Sequence, residues 1–252
     1  INVSATIENT GEKPGAYLGE YVFDGEVVAD TTDIEADIAV VSGGATSGTG
    51  LSERASSGED IQPMQNPSDI AATLQTVLDN NQYTVETLDA SDLLANMDQY
   101  DVFVVNDFVG ADAGAFLDSL TAQQGVVYLE NWGGDSNAIT ELSNERGNPA
   151  SVGTDFDLGG VEAQYEVTTD HPIFDGVASA GDTVTLNGAD STGWAWFDGY
   201  SGDVVGDVTT ASSTTTDGYG AGVDDSRNEI LLASMGTSQF VPWSSFTQDA
   251  HT

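Results

Sequence analysis

The sequence predicts an α/β fold, in which a parallel sheet with flanking helices follows a short N-terminal β segment and precedes a β-rich C-terminal part. Apolar runs of strand length at residues 37–42, 101–106 and 125–129, with a further predicted strand at 83–88, alternate with stretches of helical apolar spacing. Near-continuous apolar strands that alternate with amphipathic helices are typical of a parallel sheet covered on both faces. After residue 150 the helical spacing disappears and short strand-like runs take its place.

Helix signals lie between these strands. Asn66 and Pro67 start a predicted helix with apolar residues on one face up to residue 78. Ser91 is predicted to cap a short helix over residues 91–97, and residues 112–123 have the apolar spacing of another. A further helix is predicted from Ser136 to about residue 146, with Gly147 as its C-cap.

The first 36 residues differ from the rest and are predicted to form a β segment apart from an α/β domain at 37–252. Residues 1–7 and 16–23 alternate as strands do, and Asp24 and Gly25 form a hairpin signal before residues 26–28. About three or four strands are too few for a closed sandwich. We therefore expect them to pack on the following domain, to pair with another chain or to belong to a longer protein.

The C-terminal part is predicted to contain short strands and one late buried strand. The late strand, residues 229–234, is expected to return to the main sheet. The aromatic residues of 194–200 indicate a core strand, and a sugar platform or an interface is the alternative. The short strands are predicted at residues 165–168, 183–186, 194–197, 204–205 and 221–223, and the aromatic residues are Trp194, Trp196, Phe197 and Tyr200.

The charge of the chain is strongly negative along its whole length. Asp and Glu number 42 against 4 Lys and Arg, a formal net charge of -38. Such a chain repels itself at low salt, but at about 1 M salt the Debye length falls to about 3 Å and the repulsion is screened. The composition therefore predicts a halophilic protein. It argues against nucleic acid and anionic membranes as partners, since neither would meet a cationic surface.

Several further features limit the class of protein. The chain has no cysteine, which excludes disulfides, thiolate metal sites and cysteine nucleophiles. No apolar run approaches the ~18 residues that span a bilayer, and no signal peptide is recognisable. Because the sequence starts at Ile1 and not at Met, we expect a processed product or an excised fragment, with an extracellular or cell-surface location.

The order of elements and two segments resemble the class I glutamine amidotransferase-like superfamily, and its ThuA-like branch in particular. The segments are DHPIFDGV at residues 170–177 and ILLASMG at residues 230–236. The resemblance covers roughly residues 37–245 and implies a flavodoxin-like sheet. It also implies a catalytic Cys at a sharp turn after a central strand, but the comparable turns at 106–108 and 130–133 have no Cys, Ser or Thr at the tip. The family's amidase chemistry is therefore not expected.

A second, shorter resemblance concerns the N-terminal segment. ATIENTG at residues 5–11 and DGEVV at residues 24–28 are similar to the strands of CARDB-type immunoglobulin-like domains. This resemblance implies a partial immunoglobulin-like β segment at residues 1–36.

A candidate site lies where two predicted parallel strands end. Asp107 and Glu130 follow adjacent strands, and ligands of open α/β sheets bind outside the carboxyl ends of the strands. Two carboxylates there could act as acid and base or hold a cation, although two of so many acidic residues can also fall there by chance. The predicted lining residues are Asn106, Asn131, Trp132, Asp135 and Ser136, with Trp132 as a sugar-stacking face.

Other candidate groups have structural alternatives. His171 could be a general base or a metal ligand, but its place before Pro172 indicates a capped turn. The Gly-rich loop at 43–50 lacks the lysine of a phosphate-binding loop. No cofactor is expected except possible Ca²⁺ at acidic turns such as Asp224-Asp225 or the pair Asp155 and Asp157.

Together these observations predict a non-catalytic binding or assembly module of a halophilic secreted or cell-surface protein. Its partners would be other protein subunits or surface glycans, and its N-terminal strands could extend a sheet of a neighbouring subunit. The alternative is a carbohydrate-acting hydrolase that uses Asp107, Glu130 and His171. A sugar-binding domain of a larger enzyme is a third possibility.

Overall fold

The computed structural model describes residues 20–23, 26–30, 36–42, 71, 74–75, 83–130, 137–157, 163–185, 192–210 and 216–234. In these ranges α1 (Ala113–Ser119) and α2 (Ala138–Arg146) are α-helices, residues 71, 74 and 75 are also α-helical, and short 3₁₀ helices lie at Ala90–Ala95, Met97–Gln99 and Pro172–Phe174. The strands are β1 (Glu20–Phe23), β2 (Glu26–Asp30), β3 (Ala36–Ser42), β4 (Tyr83–Asp89), β5 (Val102–Val105), β6 (Gly125–Glu130), β7 (Ser151–Asp157), β8 (Ala163–Val167), β9 (Thr183–Thr185), β10 (Thr192–Asp198), β11 (Asp203–Thr210), β12 (Gly218–Asp224) and β13 (Glu229–Ala233).

Five strands form the parallel half of the main sheet, in the order β4-β3-β5-β6-β13. Counted from β3, this is the order 2-1-3-4-5 of flavodoxin-like sheets. Strands β3, β4, β5 and β6 lie where the sequence predicts them. The late strand β13 returns beside β6, with Leu231 opposite Tyr128, so that prediction is confirmed.

The other half of the sheet is antiparallel. It continues from β13 through β12, β11 and β8 to β9, while β10 pairs with β7 and meets β12 only at Phe197 and Tyr219. The main sheet of eleven strands is therefore mixed, and a parallel arrangement is confirmed only for its first half.

Two helix predictions need correction. The short helix predicted at residues 91–97 is present as two 3₁₀ helices, but Asp89 and not Ser91 is the N-cap of the first, because the Asp89 carboxylate accepts from Ser91 N at 2.8 Å and from Ser91 Oγ at 2.6 Å. The helix predicted to reach residue 123 ends at Ser119. The Gln124 side chain holds the following turn, since it donates to Met97 O at 2.6 Å and accepts from Thr121 N at 3.0 Å.

The remaining element predictions have mixed outcomes. Gly147 is the left-handed C-cap of α2, with φ 61°, as predicted. Strands β1 and β2 pair antiparallel with Phe23 opposite Glu26, which confirms the hairpin, and they form a two-stranded sheet apart from the main one. Residues 71, 74 and 75 are helical as predicted, whereas the predictions for residues 1–7 and 43–50 lie outside the described residues.

Aromatic side chains pack against a row of glycines in β12. The rings of Tyr165 and Tyr200 lie where Cβ atoms would stand at Gly220 and Gly222, at distances of 2.6 and 2.7 Å. Only glycine at these positions lets the rings approach the strand so closely. Of the predicted aromatic cluster, Trp194, Phe197 and Tyr200 are buried, so the core interpretation is confirmed for them, while Trp196 is half-buried over Gly153 and Gly218.

Candidate functional site

The candidate site lies at the carboxyl edge, which is the edge of the sheet where the parallel strands end. The backbone of Asn106, just after β5, accepts from Ala138 N at 3.2 Å and donates to Val41 O at 3.0 Å. Asp107 forms an isolated bridge with Asn137, the N-cap residue of α2. The end of β5 and the start of α2 are thus joined, and Glu130 ends β6 beside Ala233 at the same edge.

Glu130 is wholly buried, with 0% of its surface exposed. Its Oε2 accepts from Thr140 N at 2.9 Å and from Thr140 Oγ1 at 3.1 Å, in the first turn of α2. Backbone N–H groups in the first turn of a helix have no partner within the helix, and a negative charge beside them is favourable. The contacts of Glu130 therefore hold the start of α2 against the end of β6.

Asp107 and Asn106 are also buried, at 9% and 4% exposed. The Asp107 carboxylate accepts from Val109 N at 3.0 Å and from Asn106 Nδ2 at 3.4 Å, so it shapes the turn after β5. Beyond this turn Val109 is 46% and Leu94 42% exposed, and Asp89, which ends β4 at the same edge, is exposed as well.

His171 lies at the other edge of the sheet. Strand β8 pairs antiparallel with β11, which pairs antiparallel with β12, which in turn pairs antiparallel with β13. Strand β8 therefore runs opposite to β13 and the parallel strands, and its end points to their amino ends. The structure does not bring His171 to Asp107 and Glu130. Its Nδ1 accepts from Ile173 N at 3.3 Å, which is the capped turn that the sequence favours.

The other predicted site residues contribute no cation site in the described structure. Asn131, Trp132, Asp135 and Ser136 lie outside the described residues. Asp224 accepts from Ser226 N at 3.0 Å and pairs with Arg227 at 3.5 Å, and these contacts depress the pKa of its carboxyl, with the Ser226 hydroxyl as the main cause. Within the described ranges, no group of three or more His, Asp or Glu side chains could hold a metal ion. Asp155 and Asp157 belong to β7.

A buried charged cluster that sequence reasoning missed lies at the amino edge, where the parallel strands begin. Arg146, in the last turn of α2, pairs with Glu229 at 2.5 Å, and Tyr200 Oη donates to the other oxygen of Glu229 at 3.2 Å. Burial raises the pKa of Tyr200, and the Glu229 charge raises it further. The sequence signal for this cluster was Glu229, a charged residue at the start of an apolar strand. A charged side chain in such a place is buried at low cost only when it has a partner.

Solved structures of the amidotransferase and ThuA-like type share this fold. A putative ThuA-like protein from Bacteroides uniformis ATCC 8492 aligns with a TM-score of 0.53 and 10% identity, over 89% of this chain and 91% of that one. A putative GMP synthase component from Thermoplasma acidophilum aligns with a TM-score of 0.51 and 13% identity, over 86% of this chain and 89% of that one. These likenesses support the predicted fold and, at such low identity, the fold alone.

Sequence comparisons add nothing to this picture. No protein-family model matches the chain. No curated protein matches it either. Among the residues that the structure describes, no helix has both the length and the apolarity needed to cross a membrane.

Proposed function

We propose that this chain is a non-catalytic binding or assembly module of a halophilic protein that is secreted or displayed at the cell surface. The observation that carries the proposal is that Glu130 is buried and hydrogen-bonded to Thr140. Glu130 begins one of the two turns that are comparable to the nucleophile turn of the resembling superfamily, yet its side chain is 0% exposed and binds the first turn of α2. A carboxylate used in this way stabilises the fold and does not reach a substrate.

The same geometry counts against the carbohydrate hydrolase. A general acid or base must come within hydrogen-bond reach of the proton that it transfers. Asp107 is 9% exposed and is engaged with the backbone of its own turn, and His171 follows β8, which ends at the opposite edge. The three residues of the hydrolase hypothesis therefore do not form one catalytic group.

Assembly is supported by the N-terminal hairpin, and the charge sets the salt concentration that assembly needs. In the described part of the chain β1 and β2 form a sheet of two strands, which is marginally stable by itself and gains stability when further strands pair with it. We favour strands of a neighbouring copy or subunit as these partners, and surface glycans are the other class. At a net charge of -38 such assembly requires concentrated salt, because only screened subunits can approach one another.

Light scattering at molar NaCl or KCl tests the assembly part of the proposal. We expect particles larger than one chain, with a size that grows with protein concentration and falls when salt is diluted. A monodisperse monomer at every concentration in high salt would refute assembly.

A panel of glycosides tests the non-catalytic part. We expect no turnover by the chain, and binding without hydrolysis if glycans are its partners. Hydrolysis that Asp107→Asn abolishes and Asp118→Asn leaves unchanged would refute the proposal. Asp118 is a matched control because it is an exposed carboxylate on α1.

A further inference from the structure

Two of the few cations of this chain lie in or near the buried cluster at the amino edge. Only 4 of its residues are Lys or Arg, and two of these, Arg146 and Arg227, lie near enough to Tyr128 to lower the pKa of its hydroxyl. Arg146 is bound to Glu229, which is 3% exposed. The cluster therefore has little net charge, and its polar groups are drawn from β6, α2 and β13.

Tyr128 is the member of this cluster whose hydroxyl lacks a partner. The side chain is 0% exposed, and in the part of the chain that the structure describes its Oη is the one buried side-chain polar atom that no protein group binds. Burial raises the pKa of Tyr128 and the Glu229 charge raises it further, so the phenol is neutral and has a proton to donate. A buried hydroxyl without a partner is costly, and native proteins satisfy such groups, often with ordered water.

The strand register brings Tyr128 and Glu229 to the same face of the sheet. Tyr128 stands opposite Leu231, and Glu229 stands opposite Val126, two positions earlier on each strand. Such diagonal neighbours are roughly 7–8 Å apart in a sheet, a span that one water bridges between long side chains. Each Glu229 oxygen already accepts one hydrogen bond and has capacity for a second.

We propose that an ordered internal water molecule binds here, accepts a hydrogen bond from Tyr128 Oη and donates one to the Glu229 carboxylate. This water links Tyr128 of β6 to Glu229 of β13. Glu229 in turn binds Arg146 in the C-terminal turn of α2 and Tyr200 in the turn after β10. A halide ion is the competing ligand for a buried donor in concentrated salt. The Glu229 carboxylate disfavours it, since an anion beside Tyr128 would face a like charge.

A crystal structure of the full chain that shows ordered waters tests the proposal. We expect a peak about 2.5–3.0 Å from Tyr128 Oη and within hydrogen-bond reach of a Glu229 oxygen. In Tyr128→Phe, which removes only the hydroxyl, the peak should disappear while the Arg146–Glu229 contact stays. In the control Tyr200→Phe the peak should remain, because that variant removes a hydroxyl that binds the Glu229 carboxylate and does not bind the water.

The outcomes that overturn the proposal are distinct. Crystals grown with bromide in place of chloride should show no anomalous peak beside Tyr128, and such a peak would assign the site to an anion. An empty site in the wild-type crystal, or a protein group bound to Tyr128 Oη, would also overturn it.

Discussion

Adding one methyl group at Gly220 is expected to destabilise the fold, because the space beside this residue is filled by an aromatic ring. A Cβ at Gly220 would lie 2.6 Å from Cδ1 and Cε1 of Tyr165 and 2.9 Å from Cγ2 of Val208. Tyr165 is 2% exposed and its hydroxyl donates to the Ala233 carbonyl oxygen. The ring therefore cannot move away without loss of that hydrogen bond.

The expected cost follows from three terms. Overpacking in a close-packed core costs about 1–3 kcal/mol. Weakening the hydrogen bond of Tyr165 costs about 0.5–1.5 kcal/mol, and the smaller backbone entropy of alanine in the unfolded chain returns about 0.4–1 kcal/mol. We expect Gly220→Ala to lower the free energy of unfolding by about 2 kcal/mol, which for a chain of this size corresponds to a fall in Tm of about 4–8 °C.

Urea unfolding at a fixed molar salt concentration measures this loss, with Gly125→Ala as the matched control. Gly125 also lies in a strand, but the atoms nearest to its Cβ position are 3.7 and 3.9 Å away. We expect the control to be neutral or stabilised. If Gly220→Ala proves as stable as Gly125→Ala, the packing argument is wrong. In a Tyr165→Leu background the Gly220 substitution should cost less, since neighbouring substitutions are not additive.

Three further predictions concern single side chains. Glu130→Gln should lower the free energy of unfolding by about 2 kcal/mol in urea unfolding, because two hydrogen bonds to a buried charge become neutral ones, whereas Thr140→Ser keeps both donors and should be nearly neutral. Asp207→Asn should raise it by about 0.2–1 kcal/mol at neutral pH and low salt, because Asp207 stands opposite Glu166 and like charges on paired strands repel. His171→Ala should lower it by about 1 kcal/mol through loss of the cap, and should leave any binding at the carboxyl edge unchanged in a titration.

The pH dependence of the Asp207 effect has a definite sign. Burial, and next the Glu166 charge, raise the pKa of Asp207 in the folded protein. The ionised carboxylate therefore destabilises the fold above that raised pKa, and the penalty is absent below the ordinary pKa of an unfolded aspartate. The gain from Asp207→Asn should accordingly vanish in acid and shrink in molar salt. A gain that persists under both conditions would point to a cause other than charge.

For the other two variants, different results would contradict the reasoning. Wild-type stability of Glu130→Gln would mean that the carboxylate does not hold α2. Loss of ligand binding in His171→Ala would mean that His171 acts at the carboxyl edge in spite of the direction of β8.

Local signals in the sequence determined the parallel half of the fold and little of the site. Strands β3, β5 and β6 are apolar runs of strand length, and Gly147 ends α2 because only a few residues adopt positive φ without strain. The negative charge is likewise a property of composition. The sequence also indicated that Asp107 and Glu130 follow parallel strands, since that depends only on where the runs end.

Tertiary structure alone decided what those groups do. The role of Glu130 becomes visible only when Thr140 is placed against it, and Arg146 and Glu229 are 83 residues apart, so no local pattern joins them. The side of the sheet on which His171 lies depends on the directions of β8, β11 and β12, which short strands with similar composition do not encode. Local periodicity specifies an element, but a long-range contact depends on how the elements pair, and that pairing gives each charged side chain of this protein its role.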